Sequence, residues 1–129
     1  MPPKKIIVVE DDDTIRELYV EILTEEGYEV IPACNGREAI TILRSSQTPA
    51  LLLTDFLMPE MNGIEMIENL IREKQLKFPV LMVSATLEGM SIAGLEIDFL
   101  RKPTDVDELL YRVHQHCSSP KKFYGQSLQ

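Results

Sequence analysis

A doubly wound α/β fold, with a parallel five-stranded sheet between two layers of helices, is predicted by three features of this chain. Five short apolar runs recur, at residues 6–9, 28–33, 51–54, 79–84 and 97–100. Most are continuous rather than alternating in character, the pattern of strands buried on both faces. Between them lie segments whose apolar residues recur at helical spacing. Strand and helix alternating in this way imply parallel strands joined by right-handed crossovers, with helices on both faces of the sheet.

Each element has its own signal. Ile6, Ile7, Val8 and Val9 form a β-branched run, and Asp12 or Asp13 then offers a helix N-cap. Ile15, Leu18, Tyr19, Ile22 and Leu23 follow at helical spacing until Gly27 stops the helix. Residues 28–33 read as a strand whose Pro32 suits a sheet edge. Asn35-Gly36 opens a helix carrying Ala39, Ile40 and Leu43, which ends at the polar loop 45–49. The run 51–54 is the third strand. A helix over about 64–74 presents Ile64, Ile67, Leu70 and Ile71 to the core. The fourth strand spans 79–84. Residues 85–94 are weakly helical at best, because Gly89 and Gly94 interrupt them. The fifth strand covers 97–100, and Thr104 is expected to cap a last helix with Val106, Leu109, Leu110 and Val113 inward.

With 129 residues the chain fits one domain that can bury a core without staples. The net charge of −8 argues against non-specific nucleic-acid binding, which needs clustered Lys and Arg. Cys34 and Cys117 have no metal or redox spacing and read as free thiols in a reducing compartment. Four acids follow Ile6–Val9 too soon for a signal h-region, and no run approaches a membrane span. A cytoplasmic location is therefore expected. Residues 118–129 lack apolar periodicity and read as a tail or linker stub beyond a domain spanning 4–117.

The chemistry gathers at the strand tips. Asp55 ends the third apolar run and is followed at once by the turn residues Pro59 and Asn62-Gly63. It should therefore face the crevice at the carboxyl edge of the sheet, where open α/β folds bind ligands. Glu10 and Asp11 follow the first strand at the same edge. Carboxylates crowded in this way repel unless a cation joins them. An all-oxygen set open to water suits Mg²⁺ better than zinc. Lys102, held before Pro103 beyond the fifth strand, adds a compact positive charge, and Ser84 adds a hydroxyl at the tip of the fourth.

The blocks Val8-Val9-Glu10-Asp11-Asp12, Asp55-Phe56-Leu57-Met58-Pro59-Glu60-Met61-Asn62-Gly63, Val83-Ser84-Ala85 and Phe99-Leu100-Arg101-Lys102-Pro103 resemble the receiver domain of two-component response regulators, of the chemotaxis-regulator kind. The resemblance runs from about residue 4 to residue 117. It implies a flavodoxin-like (βα)5 fold with sheet order 2-1-3-4-5, an order carried over from the family. It implies that Asp55 accepts a phosphoryl group from a phosphohistidine on a sensor histidine kinase or phosphotransfer protein. Asp11, Asp55 and the backbone carbonyl of Leu57 would hold Mg²⁺, with Glu10 bound through water. Lys102 and Ser84 would contact the phosphoryl oxygens, and Ser84 with Phe99 would form the switch that reshapes a surface of the fourth helix, fifth strand and fifth helix. The family catalyses its own phosphorylation and dephosphorylation without being a conventional enzyme. Its partners are the phosphodonor, a downstream protein target, and in some cases a second copy joined on phosphorylation; neither nucleic acid nor membrane is expected to be contacted by this domain.

Three features depart from the usual family pattern. Ser84 stands where threonine is commoner, Leu57 is apolar where many members are polar, and the span from Ser84 to Phe99 is shorter by about one helical turn. Leu57 is expected to shield an acyl phosphate from water. The competing readings are less well supplied. A pseudo-receiver acting as a phosphorylation-independent interaction module would be favoured by loss of an acid, the acceptor or the lysine, and none is lost. A phosphohydrolase with an aspartyl-phosphate intermediate would usually carry a second aspartate where Leu57 stands. A dinucleotide or flavin binder would need a Gly-rich loop after the first strand. His114 and His116 are two apart, so a helix points them in different directions and they cannot chelate jointly. Met58, Met61, Met66 and Met82 read as turn and core packing.

Overall fold

The computed structural model describes residues 2–45, 48–85, 91–92 and 95–118. The strands are β1 (Lys5–Val9), β2 (Glu29–Ala33), β3 (Leu51–Asp55), β4 (Val80–Ser84), β5 (Ser91–Ile92), β6 (Leu95–Glu96) and β7 (Asp98–Arg101). The helices are α1 (Asp13–Glu25), α2 (Gly36–Ser45), α3 (Gly63–Arg72) and α4 (Val106–Ser118). Five strands pair in parallel in the order β2-β1-β3-β4-β7, while β5 and β6 form a separate antiparallel pair. This is the doubly wound sheet expected, in the order 2-1-3-4-5.

Successive side chains of a strand point to opposite faces, and the two core layers follow from that rule. Ile7, Val9, Leu52, Val80 and Met82 pack with Ala39, Ile40 and Leu43 of α2 and Met66, Ile67 and Leu70 of α3. Ile6, Val8, Leu51, Leu53, Leu81 and Val83 pack on the other face with Tyr19 and Leu23 of α1 and Leu109, Val113 and Cys117 of α4. β3 and β4 are buried along their whole length, as continuous apolar runs require. β2 lies at an edge, which accommodates Pro32.

Local chemistry sets the helix starts. The Asp12 carboxylate accepts the Ile15 N–H at 2.9 Å, so Asp12 rather than Asp13 caps α1. Asn62 and Glu65 form a reciprocal capping box at α3. At α4 the expectation needs correction: Asp105 accepts the Glu108 N–H at 3.3 Å, so the cap is Asp105 and not Thr104. Val106, expected inward, is 42% exposed, and Leu18 on α1 is 47% exposed, because both lie at the rim of the cleft between these helices. His114 and His116 point apart, His114 toward Glu26 at 3.0 Å and His116 toward Asp98 at 2.6 Å. The fifth strand starts one residue later than expected, and no helix occurs between β4 and β7 among the described residues. The short β5–β6 pair occupies part of that segment, where the sequence holds the helix-weakening Gly89 and Gly94. Residues 86–90 and 93–94 of the expected weak helix, and 119–129 of the expected tail, lie outside the described residues. Among the described residues no helix is long and apolar enough to cross a membrane.

Candidate functional site

Strand register delivers the polar residues to one edge. Val9 is level with Thr54, so Glu10 and Asp55 emerge side by side. Asp55 is level with Val83, and Ser84 with Arg101, which brings Lys102 past the same edge. Parallel strands all end in the same direction, so residues distant in sequence converge here.

Asp55 is 8% exposed, and its Oδ1 accepts the Phe56 N–H at 2.9 Å. Lys102 Nζ lies 3.2 Å from Asp55 Oδ1 and 3.7 Å from Glu10 Oε1. The Lys102–Pro103 peptide is cis, and the Lys102 N–H donates to the Ser84 carbonyl at 3.0 Å. Glu10 is buried, with Oε2 accepting the Asp12 N–H at 3.1 Å, while Oε1 has no hydrogen-bond partner. Asp11 is exposed beside it. One carboxylate oxygen from each of Glu10, Asp11 and Asp55 lies within 4.8 Å of the other two.

These charges act on each other. Burial pushes the Glu10 carboxyl up to about 7; the Asp12 N–H and Lys102 oppose this, while Asp55 and Asp11 add repulsion. Burial also raises Asp55, against the pull of Lys102 and the Phe56 N–H. Burial alone would lower Lys102, but Asp55 and Glu10 outweigh it and hold the ammonium charged. Three acids thus share one ammonium, and the buried Glu10 Oε1, 3.7 Å from it, makes no hydrogen bond, so negative charge is in excess here. Oxygen-only donors partly open to water fit a hard divalent cation such as Mg²⁺.

Of the remaining expected residues, Ser84 is 2% exposed at the tip of β4. Phe99 is half-buried against the core layer of α2 and α3. Leu57 stands in the turn after Asp55 and is 64% exposed. Gly63 closes that turn, its N–H donating to the Phe56 carbonyl at 2.8 Å. A Cβ there would lie 2.9 Å from the Asp55 carbonyl oxygen, which explains a glycine at this place in the motif.

Two contributors escaped the sequence reading. The Thr54 hydroxyl donates to the Asp55 carbonyl at 2.9 Å, and the Arg16 guanidinium donates to the Glu10 carbonyl at 2.8 Å. In the sequence Thr54 is only the end of an apolar run, and Arg16 passes for half of an i,i+3 surface pair with Asp13.

The family described as response regulator receiver domain matches residues 6–114. The alkaline phosphatase synthesis transcriptional regulatory protein PhoP of Bacillus subtilis is 37% identical over 114 residues, covering 85% of this chain and 47% of that protein. The chain thus spans about half the length of the curated relatives it matches. Among solved structures, the receiver domain of a signal transduction histidine kinase from Syntrophus aciditrophicus is 30% identical with a TM-score of 0.80, covering 97% of this chain and 98% of that one. The response regulator protein TrrA from Thermotoga maritima, in complex with Mg²⁺–BeF, is 31% identical with a TM-score of 0.75, covering 88% and 98% respectively. A family match over nearly the whole described sheet, joined to the same sheet order, means that this chain belongs to the response regulator receiver domain family of two-component signalling.

Proposed function

We propose that the chain is a phosphorylation-dependent switch in which Asp55 accepts a phosphoryl group from a phosphohistidine of a sensor kinase or phosphotransfer protein. An Asp55 carboxylate oxygen attacks phosphorus, the bond to the donor imidazole breaks, and an acyl phosphate results. Lys102, already 3.2 Å from Asp55, stands where it can neutralise the incoming phosphoryl oxygens. The Ser84 hydroxyl then turns toward the group, and Phe99 follows into the space it leaves. Switching requires only that the phosphoryl group interact better with one of two arrangements already available.

Glu10, Asp11, Asp55 and the Leu57 carbonyl are the residues that would hold Mg²⁺, with Glu10 acting through water. When bound, the cation would offset the negative charge of the phosphoryl group and the acids around it. The buried Glu10 Oε1, without a hydrogen bond beside Asp11 and Asp55, is the observation that carries this reading. The Mg²⁺–BeF complex of the relative TrrA supports it. On this reading the chain transforms only itself, forming and losing its own acyl phosphate, and is not a conventional enzyme.

A cleft of about 480 Å³, lined by Ile15, Leu18, Ile22, Pro103 and Val106 among others, reaches Lys102 from between α1 and α4. Its lining includes Lys102, 3.2 Å from the acceptor, so the donor protein is the occupant we assign to it, through apolar side chains flanking its phosphohistidine. With a net charge of −8 the domain itself is not suited to nucleic acid, and contacts of that kind would belong to other parts of a longer regulator. The pseudo-receiver alternative is not favoured, because every charged group it would dispense with is present.

The test is intact mass after incubation with Mg²⁺ and acetyl phosphate, then with candidate histidine kinases. One phosphoryl group is expected, absent from Asp55→Asn and from a metal-free sample. No adduct with any donor would overturn the switch reading.

A further inference from the structure

We infer that Arg16 is a positioning residue for the acidic pair Glu10 and Asp11, and thereby sets the divalent-cation affinity of the site. The inference rests on the metal-binding reading above. The turn between β1 and α1 must hold two carboxylates toward Asp55 although all three repel. It is clamped from two sides. The Asp12 N–H takes Glu10 Oε2 at 3.1 Å, which leaves Oε1 facing Lys102 and Asp55. Arg16 Nη1 takes the Glu10 carbonyl at 2.8 Å, while Nη2 takes Asp13 Oδ1 at 2.5 Å. The Arg16 side chain is only 18% exposed, in contrast to 82% for Asp13, so the guanidinium is packed into the turn rather than waving in solvent.

Geometry separates two opposed effects. A guanidinium close to a cation site repels the cation, so its removal would tighten binding. A guanidinium that fixes the backbone bearing the ligands improves binding, so its removal would weaken it. The Arg16 hydrogen bonds run to the Glu10 carbonyl and to Asp13, and neither is a carboxylate of the cluster. Arg16 therefore acts through the backbone, as outer partners of metal ligands commonly do.

The test is calorimetric titration of the purified chain with Mg²⁺, for wild type, Arg16→Ala, Arg16→Lys and Asp13→Asn, with a urea midpoint for each. Arg16→Ala is expected to bind Mg²⁺ about tenfold more weakly, the scale typical of lost outer partners. Arg16→Lys keeps a donor for the Glu10 carbonyl and should recover most of the loss. Asp13→Asn should bind within about twofold of wild type, since an exposed ion pair contributes little. Equal or tighter binding by Arg16→Ala would overturn the inference. So would a loss that merely follows a lowered urea midpoint in both Arg16 variants. Failure of the wild type to bind Mg²⁺ would instead remove the metal-binding reading beneath it, an outcome distinct from wild-type binding with no Arg16 effect.

Discussion

Two glycines make a matched test of how closely the chain packs around the acceptor. Gly36 and Gly63 are each the first residue of a helix, where alanine gains less over glycine than the roughly 0.5–1 kcal/mol of a helix interior. Their surroundings differ. A Cβ at Gly36 would meet Met61 Sδ at 3.1 Å, the far end of a flexible side chain that can turn away. A Cβ at Gly63 would meet the Asp55 carbonyl oxygen at 2.9 Å and Met82 Cε at 3.0 Å, and the first of these is backbone at the end of the central strand β3. Overpacking of that kind costs about 1–3 kcal/mol. Set against the small helix gain, Gly63→Ala should lose about 0.5–3 kcal/mol, while Gly36→Ala stays within about 0.5 kcal/mol of wild type or improves on it. For a chain of this length, about 1 kcal/mol corresponds to roughly 4 °C in Tm. Urea unfolding followed by circular dichroism reads both values, and tryptophan fluorescence has no use here because the chain has none. Because the clash falls on Asp55 itself, Gly63→Ala should also accept phosphoryl groups more slowly than Gly36→Ala. A Gly63→Ala protein as stable as Gly36→Ala would refute the close-approach argument.

Three further outcomes follow from the site. Burial holds the Glu10 carboxyl at about 7 in the folded protein against about 4.3 when unfolded, so between those values the folded state holds the proton more tightly and the cation-free protein gains stability as pH falls. Mg²⁺ must displace that proton, so its affinity should run the other way and drop about tenfold from pH 8 to pH 6; a Glu10→Gln protein with the same pH dependence would contradict this. Lys102→Ala removes the cation beside Asp55 and should slow phosphorylation by about a hundredfold, the size expected for losing one charge-stabilising group; an unchanged time course in intact mass would exclude that role. Leu57→Asn should shorten the life of the acyl phosphate by admitting and orienting water, and an unaltered half-life would mean that the exposed leucine gives no shielding.

Strands β1 to β4, the helices beside them and the edge at which Asp55 stands were all legible in the sequence. Each depends on a local pattern: a continuous apolar run, a helical repeat, an N-cap or a Pro and Asn-Gly turn. Local patterns are weakest at the ends of elements: they point to Thr104 as the α4 cap where Asp105 caps, and turn Val106 inward where it lines the rim of a cleft. Between β4 and β7 most of the expected weak helix lies outside the described residues, and nothing local announced the short β5–β6 pair. The sheet order came from a resemblance, because periodicity is silent about which strands are neighbours.

By itself, the sequence determined that an aspartate would end a buried strand among other acids and a lysine, since those identities and their places at strand ends are written in the chain. Only the tertiary structure decided that Lys102 lies 3.2 Å from Asp55, that one oxygen of Glu10 is buried without a hydrogen-bond partner, and that Arg16 grips the turn beneath it. Those facts arise where parallel strands far apart in sequence come into register, and burial then magnifies every charge that the register brings together.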